Sequence, residues 1–274
     1  MFRDARTAAL CAAFSMSMTF AAAAADKIGM LPSAGEAAAT AALAASATDA
    51  VQRATDFTWL CQKPEKPGGR TLILLHGSGG NEKTLMELAA KIAPNATLVG
   101  VRGRLVQAGT TRWYKRLSPT SFDQADIRAE ADAFAVSLHA ASREYGFSLE
   151  NAVFLGYSNG ANLIGALSVL HPGLVHRAAL LRAMPVLEQA PDVALSGADI
   201  LTIAGKADAT YSPFAPALEN MFRKRGARVK AHMIDANHMI GDEDARLVRE
   251  WLTASLDPAG SAAGKALAGD IGAR

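Results

Sequence analysis

Three residues far apart in the sequence have the types that nucleophilic acyl chemistry needs. Ser158 stands in Gly156-Tyr157-Ser158-Asn159-Gly160, Asp208 ends Gly205-Lys206-Ala207-Asp208, and His238 ends Asp235-Ala236-Asn237-His238. A serine hydroxyl is a poor nucleophile until a base takes its proton, and the base needs an acid behind it to fix its tautomer. The pattern G-x-S-x-G meets the first need when it follows a strand and opens a helix. Its glycines permit a tight turn and close backbone approach, which lifts the hydroxyl clear of the sheet. Each residue alone has an ordinary alternative: a loop aspartate most often forms a turn or caps a helix, and a single histidine is usually a surface or satisfied core residue. Asp199, Asp235 and His232 are rival members. Asp199 precedes a strand and His232 lies inside one, so Asp235 is the serious competitor for Asp208.

The elements that must position these groups show as short apolar runs. Residues 71–75 form one, the pattern of a strand buried on both faces of a parallel sheet. Similar runs at 97–101, 152–156, 178–181, 200–204 and 229–234 bring the predicted strands to six. Between the second and third, Ile127, Ala131, Phe134, Leu138, Ala141 and Tyr145 recur at helical steps; Leu85, Leu88, Ala89 and Ile92 do so after the first strand, and Ala245, Val248 and Leu252 after the last. Such alternation implies a doubly wound, mostly parallel sheet covered on both sides, a three-layer α/β fold. Ligands of such sheets bind beyond the carboxyl ends of the strands. Ser158, Asp208 and His238 follow the third, fifth and sixth of them.

The loop after the first strand, Leu75-His76-Gly77-Ser78-Gly79-Gly80-Asn81, is glycine-rich and turns main-chain N–H groups toward the same rim. The N–H groups of Ser78 and Asn159 are the expected pair of oxyanion donors. A nucleotide role is not expected, because neither the P-loop ending nor the G-x-G-x-x-G spacing is present.

Length and charge bound what remains. The 274 residues carry Lys+Arg 28 against Asp+Glu 26, a net charge of +2, so no broad basic surface exists for nucleic acid. Cys11 and Cys61 cannot build a disulfide scaffold, and no Cys/His cluster has structural-zinc spacing. Residues 1–25 have a basic start, an apolar stretch too short to span a bilayer comfortably and an Ala-rich end, and read as a secretory signal peptide. That reading places the protein in the periplasm or outside the cell; without it the expectation is cytoplasmic. Residues 26–56 read as an Ala-rich linker, 57–256 as the catalytic domain and 257–274 as a flexible tail.

Together, Leu74-Leu-His-Gly-Ser-Gly-Gly-Asn81, Gly156-Tyr-Ser-Asn-Gly-Ala-Asn162, Gly205-Lys-Ala-Asp208 and Asn237-His238 resemble the phospholipase/carboxylesterase family of α/β hydrolases, in the dienelactone-hydrolase-like group. The likeness runs from about Thr71 to Leu252. It implies a cofactor-free serine hydrolase of small carboxylic esters or thioesters, with Ser158, Asp208 and His238 as its triad. Relatives often carry Gly-Met-Pro-Arg-aromatic-aromatic-Arg-Arg after the second strand. Here that stretch reads Gly109-Thr-Thr-Arg-Trp-Tyr-Lys-Arg116, so Arg112, Trp113, Tyr114 and Arg116 keep its character. These four are the candidate substrate-binding residues, with Arg112 suited to an anionic part of the substrate. Packing of the loop on itself is the alternative.

Residues 182–199 leave room for a loop and one short helix, which excludes a large lid and favours short or moderate esters over long-chain lipids. The expected partner is a small-molecule ester, with homodimerisation left open, no nucleic acid and no stable membrane span in the mature form. Two other classes stay open. One is a ligand-binding protein on this fold without turnover; the other is a metal-dependent oxygenase, which needs two histidines and an acid to converge, whereas only His238 and His76 lie near predicted strand ends.

Overall fold

The six apolar runs form six parallel strands, and a seventh strand closes one edge of their sheet. The protein is seen as a computed structural model that describes residues 51–254 apart from Ala54 and Pro67. The segment read as a signal peptide, nearly all of the linker and the tail lie outside the described residues. In chain order the elements are β1 (Val51–Arg53), β2 (Thr58–Gln62), β3 (Thr71–Leu75), α1 (Met86–Ile92) and β4 (Thr97–Arg102). Four short strands follow: β5 (Leu105–Gln107), β6 (Thr110–Arg112), β7 (Arg116–Ser118) and β8 (Ser121–Phe122). The rest are α2 (Gln124–Tyr145), β9 (Ala152–Tyr157), α3 (Asn159–Leu170), β10 (Arg177–Leu181), β11 (Asp199–Gly205), α4 (Ala215–Arg223), β12 (Arg228–Ile234) and α5 (Asp242–Ala254).

The central sheet has the order β12-β11-β10-β9-β3-β4-β2, with β2 antiparallel to β4 and every other pair parallel. Alternation of side chains along a strand divides the apolar residues between two cores. Ile73 and Leu75 pack with α2 and α3 residues such as Phe134 and Leu167, while Leu72 and Leu74 pack with Leu85, Val248 and Trp251 on the other face. Both faces of β3 are therefore dry, which is why its run is continuously apolar.

Capping explains the longest helix. Asp123 at the N-cap of α2 accepts from the N–H groups of Ala125 and Asp126, and the helix ends at Gly146 in the left-handed region, φ 70°. From β3 the chain winds to β4 on one side, and from β9 it winds through β10 to β12 on the other. The reversal falls between β3 and β9. A crevice opens at such a switch point, and here the glycine-rich loop and Ser158 border it.

Three features depart from the sequence reading. β1 lies inside the stretch read as linker, where it pairs with β5, and Arg53 forms ion pairs with Asp126 and Glu130 of α2. The span between β4 and α2 is not a simple loop but the β5–β6 and β7–β8 hairpins. The 182–198 connection has no helix, so the short helix for which it left room is not formed.

Candidate active site

Ser158 sits between β9 and α3 with φ 49° and ψ −114°, a strained backbone that only surrounding contacts can hold. Its N–H donates to the Leu181 carbonyl at 2.8 Å, and its own carbonyl accepts from Asn162 N–H at 2.9 Å. The flanking glycines are required by space. A Cβ on Gly156 would come within 2.7 Å of the Ala161 nitrogen, and one on Gly160 would run into the carbonyl oxygens of Leu75 and His76. The turn can therefore lie directly against the end of β3.

Asp208 and His238 come to the same rim from the ends of β11 and β12. His238 Nε2 lies 2.9 Å from Ser158 Oγ, and His238 Nδ1 lies 2.6 Å from Asp208 Oδ2. An ionised carboxylate only accepts, so Nδ1 carries the ring proton and Nε2 accepts from the Ser158 hydroxyl. Asp208 is 5% exposed and also accepts from the Tyr211 N–H at 3.2 Å, while the His238 side chain is 32% exposed. The buried carboxylate is thus fixed and the imidazole stays reachable. Asp235 is exposed and makes no such contact among the described residues.

The glycine-rich loop is braced from within. Gly103 N–H donates to His76 Nε2 at 3.0 Å, so His76 is neutral and carries its proton on Nδ1, which donates to the Gly77 carbonyl at 2.6 Å. Burial lowers the imidazole pKa from 6.5 to about 4. Trp113 Nε1 donates to the His76 carbonyl at 2.8 Å, and Trp113 N–H donates to Asn159 Oδ1 at 2.9 Å. The loop, the Ser158 turn and the Arg112–Arg116 segment are thereby locked together. The Ser78 and Asn159 N–H groups make no hydrogen bond among the described residues.

Ser158 opens into a cleft of about 20 Å³ lined by Ser78, Arg112, Arg116, Asn159 and Tyr211 among others. Two of the four candidate substrate-binding residues reach it and two do not. Trp113 and Tyr114 are completely buried in the main core. Burial raises the Tyr114 phenol's pKa, against the opposing influence of the Asn162 and Asn159 side chains. The flanking arginines face the cleft, while the aromatic pair, in the irregular stretch between β6 and β7, is buried.

Two contributors escaped the sequence reading. The Tyr211 ring stands 4.8 Å from the His238 ring, and its hydroxyl accepts from Arg116 Nη2 at 3.2 Å and donates to the Pro119 carbonyl at 3.3 Å. Arg182, at the end of β10 with φ 54°, donates through Nε to the Asn237 carbonyl at 2.8 Å and through Nη2 to the Met239 carbonyl at 2.9 Å. One guanidinium thus grips the main chain on both sides of His238. Tyr211 lies three residues past Asp208, on a loop whose strand-end position was the available signal; nothing in the sequence pairs Arg182 with the histidine loop.

No protein-family model matches the sequence. The solved carboxylesterase from Mesorhizobium loti is 49% identical, with 74% of this chain and 98% of that one covered and a TM-score of 0.71. MhqD of Bacillus subtilis (strain 168) is 32% identical over 187 residues, which are 66% of this chain and 90% of that protein. The chain belongs to the carboxylesterase/phospholipase family of α/β hydrolases. Another solved structure similar to this α/β hydrolase is the Bacillus cereus carboxylesterase, 28% identical over 73% of this chain and 95% of that one, with a TM-score of 0.70.

Proposed function

We propose that the protein is a serine hydrolase of small to medium carboxylic esters or thioesters that works through an acyl-enzyme on Ser158. The unbroken chain of contacts from Ser158 Oγ through His238 to Asp208 carries this reading. His238 takes the hydroxyl proton as Oγ attacks the ester carbonyl, and Asp208 stabilises the imidazolium that results. The carbonyl oxygen, now charged, is met by the N–H groups of Ser78 and Asn159, which have no acceptor of their own among the described residues. His238 returns the proton to the departing alcohol, then draws one from the water that releases the acyl group. No cofactor enters these steps.

The cleft supports short chains. Its volume of about 20 Å³ falls far below the ~300–1,000 Å³ usual for drug-sized ligands. Rapid mixing with nitrophenyl acetate tests the mechanism: a burst of nitrophenol equal to the enzyme concentration, lost in Ser158→Ala, is expected. A non-catalytic ligand-binding protein gives neither burst nor turnover.

A further inference from the structure

The sheet sets a distance that the His238 loop must cross. Ser158 follows β9 and His238 follows β12, and in the order β12-β11-β10-β9 these strands stand three places apart. At ~4.8 Å per place their ends are separated by roughly 14 Å, so the chain leaving β12 has to run back across β11 and β10. Its carbonyls are anchored on the way, one residue to each strand end. The Ala236 carbonyl accepts from Ala207 N–H at 3.0 Å, just beyond β11. The Asn237 carbonyl accepts from Arg182 Nε at 2.8 Å, just beyond β10. The His238 carbonyl accepts from the Tyr157 hydroxyl at 3.1 Å, and Tyr157 is the last residue of β9, directly before Ser158.

The Tyr157 ring is held in turn. A Cβ on Gly77 would lie 2.7 Å from its Cδ1, so the ring rests against the main chain of the glycine-rich loop, with its centroid 5.4 Å from that of the His238 ring. Burial raises the pKa of the half-buried phenol, which keeps the hydroxyl a donor. Arg182 fixes the carbonyls before and after that of His238; Tyr157 fixes the carbonyl of His238 itself. We infer that Tyr157 is a positioning residue whose hydrogen bond to the His238 main chain sets Nε2 at proton-transfer distance from Ser158 Oγ. The inference rests on the serine-hydrolase reading above. The bond acts on the base and not on the substrate, and His238 serves acylation and deacylation alike, so its loss slows both steps and leaves KM where it was.

Tyr157→Phe removes the hydroxyl and keeps the ring. With nitrophenyl acetate its kcat is expected to fall about ten-fold at unchanged KM, between the loss of one neutral hydrogen bond and the ~10²-fold cost of a ~1 Å misplacement. The rate constant for fluorophosphonate labelling of Ser158 should fall in parallel; it does not depend on how much of the protein is folded, so it carries the test if the variant is less stable. Groups that act as a unit are not additive. In a His238→Ala background, adding Tyr157→Phe should therefore leave the residual hydrolysis unchanged, whereas a general loosening of the fold lowers it by the same factor in both backgrounds. A wild-type kcat and labelling rate in Tyr157→Phe, a loss that falls on KM, or an equal loss in the His238→Ala background overturns the inference and leaves the hydrolase reading standing. Absence of nitrophenyl acetate hydrolysis by the wild type, or full turnover by Ser158→Ala, overturns both.

Discussion

Arg182 and Asp244 form a two-point ion pair, Nη1 to Oδ1 at 2.7 Å and Nη2 to Oδ2 at 3.0 Å, with 0% and 2% of their side chains exposed. The same guanidinium holds the carbonyls of Asn237 and Met239, and Asp244 Oδ2 also accepts from Gly241 N–H. Removing one charge strands the other in a dry site. Arg182→Met is expected to cost about 3–5 kcal/mol in urea unfolding. The double variant Arg182→Met with Asp244→Leu should regain much of that stability. It should still show reduced kcat with KM little changed, since the guanidinium no longer grips the His238 loop; equal kcat in wild type and the double variant contradicts this role.

His76 predicts a stability profile with pH. Its folded pKa, about 4, is below its ordinary 6.5, so the unfolded chain binds a proton first as pH falls. Stability from the neutral imidazole is intact above pH 6.5 and is lost between there and about pH 4, with a slope of up to ~1.4 kcal/mol per pH unit. Urea unfolding across this window in wild type and His76→Gln checks it: the wild-type slope should be the steeper.

Gly160 faces the end of β3 with no room for a methyl group. Gly160→Ala must push the Ser158 turn away from the glycine-rich loop, at a cost of ~1–3 kcal/mol typical of overpacking. A melting curve and an ester assay should show kcat falling further than the loss of folded protein accounts for.

Much of this was legible before any coordinates, and for identifiable reasons. β3, β9 and β11 are buried on both faces, so their residues had to be uniformly apolar and stood out from the helices between them. Ser158, Asp208 and His238 follow strand ends, where position restricts what a polar residue can be doing. β5 to β8 were not legible, because strands of two or three residues with mixed burial leave no periodic pattern. Trp113 and Tyr114 misled by type: aromatic residues beside arginines suit a binding site, yet the Trp113 indole N–H had a buried partner in the His76 carbonyl. Arg182 is an internal charge whose partners lie 21 to 62 residues downstream, beyond any local signal.

Tyr211 bounds the cleft on the His238 side. Its removal should admit longer acyl chains, where each methylene fitted into an apolar pocket is worth about ten-fold or more in kcat/KM. Across nitrophenyl esters from acetate to hexanoate, Tyr211→Ala is expected to move the optimum to a longer chain. An unchanged optimum places the limit elsewhere.

The covalent step is the centre of the account, and mass spectrometry of the protein after exposure to a fluorophosphonate reads it directly. One phosphonyl group should be found, on the peptide containing Ser158, with the adduct absent in Ser158→Ala and ester turnover lost in step. An adduct on another residue, or a Ser158→Ala protein that hydrolyses esters as fast as wild type, contradicts it.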